Sequence, residues 1–422
     1  MSRAIRNEDV DLGSFEFWMR PPAEREAAFA ALRREQPISF QKEFEPPPEI
    51  PLPRGPGYWA LSRHRDVLAA SRDAELFCSG KGSNIADLPE SFNEFFGSMI
   101  NMDDPKHGRL RRIVSRGFTP RALGKLESDV QRRAKQTIDR VIDQGSCDFV
   151  SEIAAPLPLE IICDMMGIPD SQTKFVFEKT NTILGLGDPE YVPVGTNVLM
   201  AALGAGQALA GLMNDLVAER RKRPEDDLTS ALLAAELEGE SLSSQELASF
   251  FVLLVVAGNE TTRNAISHGM KALTDFPDQR RAWWADFEGV APTAIEEIVR
   301  WATPVIHFRR TATRDTELSG QKIQAGEKVV LWYNSANRDE DVFTEPGQFD
   351  VRRSPNEHVG FGGPGKHHCL GANLARREMR VMFREIATRI PDLEISGPPE
   401  YLRSNFINGI KRMPCAWRAA GR

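Results

Sequence analysis

Apolar residues recur every three to four positions through most of the chain, which is the pattern of amphipathic helices packed against a core. The longest such region runs from Arg121 to Arg223, and its last break, Gly185 to Pro193, separates two helices with apolar tips. These tips can be interpreted as a lid over a lipophilic cavity or as ordinary helix packing, and the periodicity favours neither. The pattern as a whole predicts a mainly helical fold.

Extended patterns are restricted to shorter segments. Tyr58 to Leu61 is typical of a strand, strand patterns run from Val305 to Trp332, and the tail from Leu402 to Cys415 has the character of strand and turn. The segment from Phe77 to Gly97 is predicted to be a long irregular loop. We therefore expect a smaller β-rich part, at about residues 38–64, 305–335 and 390–418.

One long helix differs from the others because it is apolar on nearly every side. It begins at a capping box, Ser243 to Glu246, and continues into an uncharged run from Phe250 to Ala257. Gly258, Glu260 and Thr261 then interrupt it at its centre, where a hydroxyl beside a glycine can open the backbone ladder. Burying a carboxylate is costly unless it has a partner or a purpose. This segment therefore predicts a functional site inside the helix.

A second unusual stretch, FGGPGKHHCLG, runs from Phe361 to Gly371 and is followed by another helical pattern. Glycines let the backbone lie close to a large planar group. A cysteine in such a loop can be a metal ligand whose charge is tuned by nearby N–H groups. Taken alone, the stretch is equally compatible with a glycine-rich turn in which Cys369 is an ordinary buried thiol.

Two pairs of side chains at helical spacing add weaker signals. His107 and Arg111 share a face at i, i+4 and could clamp a carboxylate, although a solvated basic face is the commoner explanation. The helix predicted over Ala294 to Trp301 carries Glu297 and Arg300 at i, i+3. These two can form an ion pair, which by itself is common on helix surfaces. Neither pair identifies a function alone.

Composition limits the class of protein. The 422 residues carry a net charge of −7 with 41% hydrophobic and 27% charged residues, which is typical of a globular protein and unfavourable for general nucleic-acid binding. Five irregularly spaced cysteines predict a reducing compartment and no zinc site. The N-terminus has no signal-peptide pattern, and the most apolar stretch is shorter than the roughly 20 residues that span a bilayer. We expect a soluble, cytoplasmic protein.

In chain order, the H-x-x-x-R pair, A-G-x-E-T-T, E-x-x-R, A-N-R-D followed by F-D, and the cysteine loop together resemble the cytochrome P450 family. The resemblance covers essentially the whole chain and implies one domain over residues 1–422, with haem b held between the long helix and the cysteine loop. It implies Cys369 as the proximal thiolate and iron ligand. Thr261 and Glu260 would hold water and deliver protons during oxygen activation. The implied haem contacts are His107, Arg111, Ala257, Gly258, Arg310, Phe361, Gly362, His367, Cys369 and Gly371.

The resemblance also implies a structural ion pair and shows one departure from the family pattern. Glu297 and Arg300 would anchor the meander before the cysteine loop, joined by one residue of the Arg352–Arg353 pair. Phe361 lies one residue farther from Cys369 than in the common family loop, so its packing over the sulfur is left open. The longer loop also occurs in actinobacterial members that oxidise sterol side chains and methyl-branched lipids, and the chain resembles above all the mycobacterial methyl-branched lipid ω-hydroxylase group.

The function implied is a monooxygenase that hydroxylates the terminal carbon of a methyl-branched, isoprenoid-like lipid, using O2 and electrons from a ferredoxin and its reductase. Sterol side-chain hydroxylation is the alternative. A peroxygenase would not need the proton relay. A haem gas sensor or lipid carrier is the non-enzymatic alternative, and it is disfavoured because no signalling domain flanks the haem region. The protein is expected to be a monomer. The expected substrate contacts are apolar: Phe96, Met99, Ile100, Leu184, Leu186, Val256, Val305, Ile306, Phe406 and Ile407.

Basic residues gather where the family places its electron-donor face, despite the negative net charge. They lie on the helix after Pro105, in the cysteine loop and on the following helix: Arg109, Arg112, Arg116, Lys366, Arg376, Arg377 and Arg380. Such a patch would steer an acidic ferredoxin toward the haem. The alternative is that several of these side chains only solvate the helices or pair internally.

Overall fold

The computed structural model describes residues 10–44, 54–119, 124, 126–235 and 241–419. Most of these residues are helical. The helices are α1 (Phe15–Met19), α2 (Pro22–Glu35), α3 (His64–Arg72), α4 (Glu90–Gly97), α5 (Lys106–Val114), α6 (Glu127–Val141), α7 (Pro156–Met166), α8 (Thr173–Leu184), α9 (Val198–Lys222), α10 (Leu228–Leu233), α11 (Ser244–Asp275), α12 (Pro277–Ala285), α13 (Phe287–Ala302), α14 (Tyr333–Ala336) and α15 (Ala372–Arg389).

Short strands form the smaller part of the structure. They are β1 (Ile38–Gln41), β2 (Tyr58–Leu61), β3 (Phe77–Cys78), β4 (Ser146–Asp148), β5 (His307–Ala312), β6 (Thr316–Leu318), β7 (Gln321–Ile323), β8 (Lys328–Trp332), β9 (Glu394–Ile395), β10 (Glu400–Tyr401), β11 (Ile410–Arg412) and β12 (Pro414–Ala416). The largest sheet has the order β1-β2-β8-β5-β3, in which only β2 and β8 are parallel. Another sheet has the order β4-β12-β9, while β6 pairs with β7 and β10 with β11. The predicted fold class, mainly α with a smaller β-rich region, is confirmed.

The central helix, α11, is buried along most of its length because apolar residues occupy nearly every face. Helices α7, α9, α13 and α15 pack around it, and Phe251 and Val255 are completely inaccessible to solvent. The predicted capping box is present: the hydroxyl of Ser243 accepts from the Glu246 amide at 3.1 Å, and the Glu246 carboxylate accepts from the Ser243 amide at 2.8 Å. The sequence therefore predicted where this helix begins.

A second core lies between the N-terminal helices and the largest sheet. Trp18 of α1 stacks on Trp332 of β8 with ring centroids 5.1 Å apart, and Phe29 of α2 packs on the same indole. Strand β5 pairs with β8 beside this core. Phe308 of β5 and Val305, just before the strand, line the cavity described below. Aromatic packing of the sheet thus positions part of the cavity wall.

Two predicted element boundaries were wrong. The segment from Phe77 to Gly97 is not a continuous loop. Its last part, Glu90–Gly97, forms α4, which packs against the central helix. The helix predicted from Ala294 begins at Phe287, since the Asp286 carboxylate caps it by accepting from the Gly289 amide at 3.1 Å.

Some predictions fall where the structure gives no answer. The helical start at Arg121 and residues 45–53 of the first β-rich segment lie outside the described residues. A single domain over residues 1–422 stays a prediction. Among the described helices, none combines the length and the apolar character needed to cross a bilayer.

Candidate active site

The cysteine loop lies directly before α15, with Cys369 two residues ahead of the N-cap, Gly371. The Cys369 amide donates to the Phe361 carbonyl at 2.9 Å and closes the loop. Gly362 has a φ of 83°, which favours glycine, and a Cβ on Gly363 would lie 2.6 Å from the Ser71 hydroxyl of α3. The glycines are therefore needed for the path of the loop and for its close contact with α3.

The thiol of Cys369 is open to a cavity that lies within the protein interior. Burial raises the pKa of this thiol above its ordinary value, while hydrogen bonds from the Gly371 and Ala372 amides and the positive charges of Arg111 and Arg376 partly offset the rise. The two amides belong to the start of α15, where a helix terminus stabilises negative charge. This is the set of donors that a thiolate metal ligand needs.

A large cavity is lined by both the cysteine loop and the central helix. The helix contributes Ala257, Gly258 and Thr261, and the loop contributes Cys369 and Gly371. Most of the remaining lining is apolar and comes from Met99, Ile100, Phe118, Ile162, Phe250, Leu253, Leu254, Ala265, Val299, Pro304, Val305, Phe308 and Leu374. The cavity can therefore hold a planar cofactor against the loop and an apolar ligand beyond it.

Polar side chains predicted to contact the haem gather around His367. The rings of His107 and His367 lie 4.3 Å apart, and Nε2 of His107 is buried without a hydrogen-bond partner among the described residues. Arg111 donates to the His368 carbonyl at 2.6 Å. Burial, followed by the positive charge of Arg310, lowers the pKa of His367 to about 3. Carboxylates of a bound cofactor would satisfy His107 and complement the two arginines, so these residues fit haem propionates.

The two residues predicted to transfer protons occupy different sides of the central helix. Thr261 lines the cavity, and its hydroxyl donates to the Ala257 carbonyl at 2.7 Å. Glu260 is buried but is absent from the cavity lining, and its carboxylate accepts from the Arg263 guanidinium and, at 3.2 Å, from the Asn264 amide. The ion pair offsets the desolvation of both charges. Glu260 could reach a group in the cavity only by leaving this pair.

Glu378 of α15 lines the cavity and was missed by the sequence analysis. The residue is 2% exposed, its Oε1 has no hydrogen-bond partner among the described residues, and its carboxyl group interacts with Thr262. Burial raises the pKa of Glu378 to about 8, so the group is mostly protonated at neutral pH. The signal that could have revealed it is its place between Leu374 and Met382 on the apolar stripe of α15, where a charge is unexpected.

The predicted substrate contacts divide into two groups. Met99, Ile100 and Val305 line the cavity. Ile407 instead forms an isolated β-bridge with Val305, and Ile306 is buried in the core of the largest sheet. Those outside the lining are Phe96, Leu184, Leu186, Val256, Ile306, Phe406 and Ile407.

Helical geometry explains why Val256 does not line the cavity. The cavity face of the central helix repeats as Leu253, Leu254, Ala257 and Thr261, which is the spacing of one helix face. Val256 falls on a neighbouring face of the same helix. A helix that is apolar all round carries no sequence signal for which face meets a ligand, and the structure places Val256 outside the lining.

Glu297 and Arg300 form an ion pair in which both side chains are completely buried, with contacts of 2.7 Å. Arg300 also donates to the Asn337 carbonyl at 2.9 Å, which ties α13 to the irregular segment before the cysteine loop. Arg353 donates to Glu297 at 3.1 Å, whereas Arg352 donates its backbone amide to the Asp350 carboxylate at 2.9 Å. The structure thus brings Arg353 to the pair, a choice that the sequence left open.

Comparison with known proteins agrees with this geometry. Residues 290–389 match the family model described as Cytochrome P450. The chain is 51% identical over 412 residues to a Mycobacterium tuberculosis protein named methyl-branched lipid omega-hydroxylase, covering 97% of this chain and 95% of that one. It is 42% identical to the steroid C26-monooxygenase of Rhodococcus jostii, covering 93% of this chain and 82% of that protein.

Solved structures give the same answer. A Mycobacterium marinum cytochrome P450, crystallised in complex with pseudoionone, matches with a TM-score of 0.93 and 44% identity over 99% of this chain and 100% of the other. The likeness extends over nearly the full length and includes the cysteine loop, the central helix and the segments between them. The chain therefore belongs to the cytochrome P450 family and is a haem-dependent monooxygenase.

Proposed function

We propose that this enzyme carries haem b and hydroxylates the terminal carbon of methyl-branched, isoprenoid-like lipids with O2. The observation that carries the proposal is that Cys369 and Thr261 open into one cavity whose remaining lining is mostly apolar. A lipid gains about 0.8 kcal/mol of binding free energy for each methylene group that it buries. Because the lining is mostly apolar, a bound lipid would leave few polar groups of the cavity without hydrogen-bond partners. The names of the relatives that are 51% identical support the same substrate class.

In this proposal Cys369 ligates the haem iron and four polar side chains bind the propionates. Those side chains are His107, Arg111, Arg310 and His367. The bound haem supplies the activation of O2. The protein orients the substrate against it and keeps bulk water from the apolar cavity.

Thr261 is proposed to pass a proton at the cavity wall. Its hydroxyl lies on the lining face of the central helix, where a donor can act on a bound reactant. Glu260 could resupply that proton only in a state in which its pair with Arg263 opens. In the paired state Glu260 instead stabilises the middle of the helix.

Hydroxylation of a sterol side chain is the second candidate. It is favoured by the relatives named steroid C26-monooxygenase, at 42% and 43% identity. The apolar lining alone does not separate a branched lipid from a sterol side chain, because both present a methyl-branched apolar end.

An optical titration of the haem spin state, followed by product analysis, tests this proposal. The probes are a methyl-branched fatty acid, the straight-chain acid of equal length and cholest-4-en-3-one. We expect the branched acid to shift the spin state at low micromolar concentration and to yield the terminal alcohol. Tighter binding and faster turnover of the sterol ketone would favour the second candidate. A response to small polar compounds alone would contradict both.

A ferredoxin, reduced by its reductase, is the proposed electron donor. Many cations of the predicted patch pair within the chain: Arg109 with Glu246, Arg376 with Glu296, Arg377 with Glu127 and Arg380 with Glu288. Arg112 is exposed with no ion-pair partner among the described residues, and Lys366 makes an exposed pair with Asp104 at 2.5 Å. We therefore place the strongest attraction for an acidic donor near Arg112 and Lys366.

The cellular setting is also part of the proposal. A cytoplasmic location is supported by the irregular spacing of the five cysteines, which is typical of a reducing compartment. A monomer remains our expectation for the oligomeric state.

A further inference from the structure

Two of the free cysteines lie opposite each other in the sheet of order β4-β12-β9. Strands β4 and β12 are antiparallel and pair Cys147 with Cys415. Their sulfur atoms are 3.6 Å apart, although the two residues are 268 positions apart in the chain. Neither residue lines the active-site cavity.

The backbone register at this pair gives a Cα spacing that a disulfide bond can span. The amide of Phe149 donates to the Met413 carbonyl at 2.8 Å, and the amide of Trp417 donates to the Gly145 carbonyl at 2.9 Å. Since hydrogen-bonded and non-hydrogen-bonded pairs alternate, the two cysteines form a hydrogen-bonded pair with Cα atoms about 5.5 Å apart. Disulfides span Cα distances of about 4.4 to 6.8 Å. The Cα spacing is therefore suitable, but hydrogen-bonded pairs hold their side chains farther apart than non-hydrogen-bonded pairs, whereas a disulfide needs Cβ atoms about 3.8 Å apart. An S–S bond requires rotation of both side chains and a small local approach of β4 and β12.

The two thiols differ in their access to solvent. Cys147 is half-buried, whereas Cys415 is 1% exposed. A small oxidant in solution would meet Cys147 first, and Cys415 would be the thiol in position to resolve the oxidised product. Cys163 is fully buried, and the described structure gives neither it nor the half-buried Cys78 a sulfur contact with another cysteine.

We propose that Cys147 and Cys415 form an oxidative modification site at which hydrogen peroxide converts two thiols into a disulfide. The sulfur of Cys147 attacks one peroxide oxygen, the O–O bond breaks and one water leaves, so that Cys147 becomes a sulfenic acid. The sulfur of Cys415 then attacks the Cys147 sulfur, and the second oxygen leaves as water. The thiols lose two electrons and two protons, and the peroxide is reduced to two molecules of water.

The surroundings of the pair determine its rate and its consequence. The hydrogen bond to Cys415, burial, and the negative charges of Glu152 and Asp148 raise the pKa of the Cys147 thiol. The thiolate is therefore scarce at neutral pH, and oxidation is slow unless peroxide persists. The bond would connect β4, which leads into α7 and its cavity residue Ile162, to the C-terminal strand. By closing so long a loop it would stabilise the fold mainly by restricting the unfolded chain.

Peptide mapping of the holoenzyme tests this inference and does not depend on the substrate. The enzyme is incubated with hydrogen peroxide, free thiols are blocked with N-ethylmaleimide, and the digest is analysed by mass spectrometry without reductant. We expect a linked pair of peptides that contain Cys147 and Cys415 and that separate with dithiothreitol. We also expect the melting temperature to rise on the order of 5 °C on oxidation.

Matched serine variants provide the control. Cys147→Ser, which keeps the fully buried partner, should abolish both the linkage and the thermal shift, whereas Cys78→Ser should retain both. Turnover of the reduced variants should equal that of the wild type. The inference is overturned if both thiols stay alkylable after peroxide treatment, or if the thermal shift persists in Cys147→Ser.

Discussion

The two sides of the active-site cavity are assembled in different ways. The haem-ligand side comes from one short run, Phe361 to Gly371, whose backbone is fixed by hydrogen bonds within the loop and by contact with α3. The substrate side collects side chains from segments that are hundreds of residues apart, from Met99 to Leu374. The loop therefore depends on a few irreplaceable atoms, whereas the substrate side depends on the summed packing of many interchangeable ones.

This difference has an energetic consequence. Removing the thiolate removes the metal ligand, and an imidazole from the neighbouring His367 or His368 would not supply the electron density of a thiolate. Removing a few methyl or methylene groups from the apolar lining changes affinity by amounts of about 1 kcal/mol, because each group contributes separately. The substrate side can thus change specificity in small steps while the chemistry of the loop is kept.

Replacing Cys369 is the strongest test of the loop. Cys369→Ala should abolish the absorption typical of the reduced carbon monoxide adduct of a thiolate-bound haem, because the sulfur ligand is gone. Absorption spectroscopy of the reduced, carbon monoxide-treated variant measures this. Cys78→Ala, at a half-buried cysteine outside the cavity lining, is the matched control and should keep the band. A band that survives in Cys369→Ala would refute the assignment of the ligand.

Thr261 tests whether the central helix contributes chemistry as well as packing. Thr261→Ala should bind haem and substrate normally, yet form product on the order of 10²-fold more slowly, because the hydroxyl that passes a proton is missing. Consumption of NADH should continue and yield peroxide, so the ratio of product to NADH is the quantity to measure. Unchanged coupling would exclude Thr261 from proton transfer.

Glu260 offers a comparison with Thr261 on the same turn of the helix. Glu260→Gln removes the negative charge next to the buried Arg263 and should lower the free energy of unfolding by about 3 kcal/mol. A loss of coupling as large as that of Thr261→Ala, with stability unchanged, would show that the carboxylate acts on the cavity directly.

Two residues of the central helix that lie three positions apart test where the substrate side ends. Leu253→Ala shortens a side chain that lines the cavity and should weaken binding of a branched lipid by about 1 kcal/mol, or roughly fivefold in Kd. Val256→Ala alters a side chain outside the lining and should leave Kd nearly unchanged. The haem spin-state titration measures both. Equal effects on Kd would mean that Val256 also contacts the bound lipid.

The same contrast explains which features of the fold and the site could be predicted from the sequence. The cysteine loop and the capping box of Ser243 and Glu246 were predictable because their chemistry lies within a few consecutive residues. The orientation of Glu260, the choice of Arg353 as partner of Glu297, and the burial of Glu378 depend on which helices pack together. Local spacing does not contain that information, so these features became visible only in the folded chain.

Reversing a charge beside the loop is expected to have the smallest effect. Arg112 is exposed on α5, the helix that also carries His107 and Arg111. Arg112→Glu should slow electron transfer from an acidic ferredoxin about threefold at low salt, because it replaces an attraction by a repulsion on the docking surface. Substrate affinity should not change. Stopped-flow measurement of haem reduction gives the rate.

Ionic strength and a distant charge serve as the controls for this step. Lys174→Glu alters the net charge by the same amount on α8, where the side chain is 88% exposed, and should leave the rate unchanged. The wild-type rate should fall with added salt, since exposed charges are screened over about 10 Å at 0.1 M, and the difference between wild type and Arg112→Glu should shrink in parallel. If the Lys174 variant slows reduction as much as the Arg112 variant, the donor senses only the overall charge of the enzyme. If neither salt nor charge reversal at Arg112 matters, the donor docks away from the cysteine loop. In that event the cations of this face act only within the fold, as their internal pairs with Glu246, Glu296 and Glu288 already do.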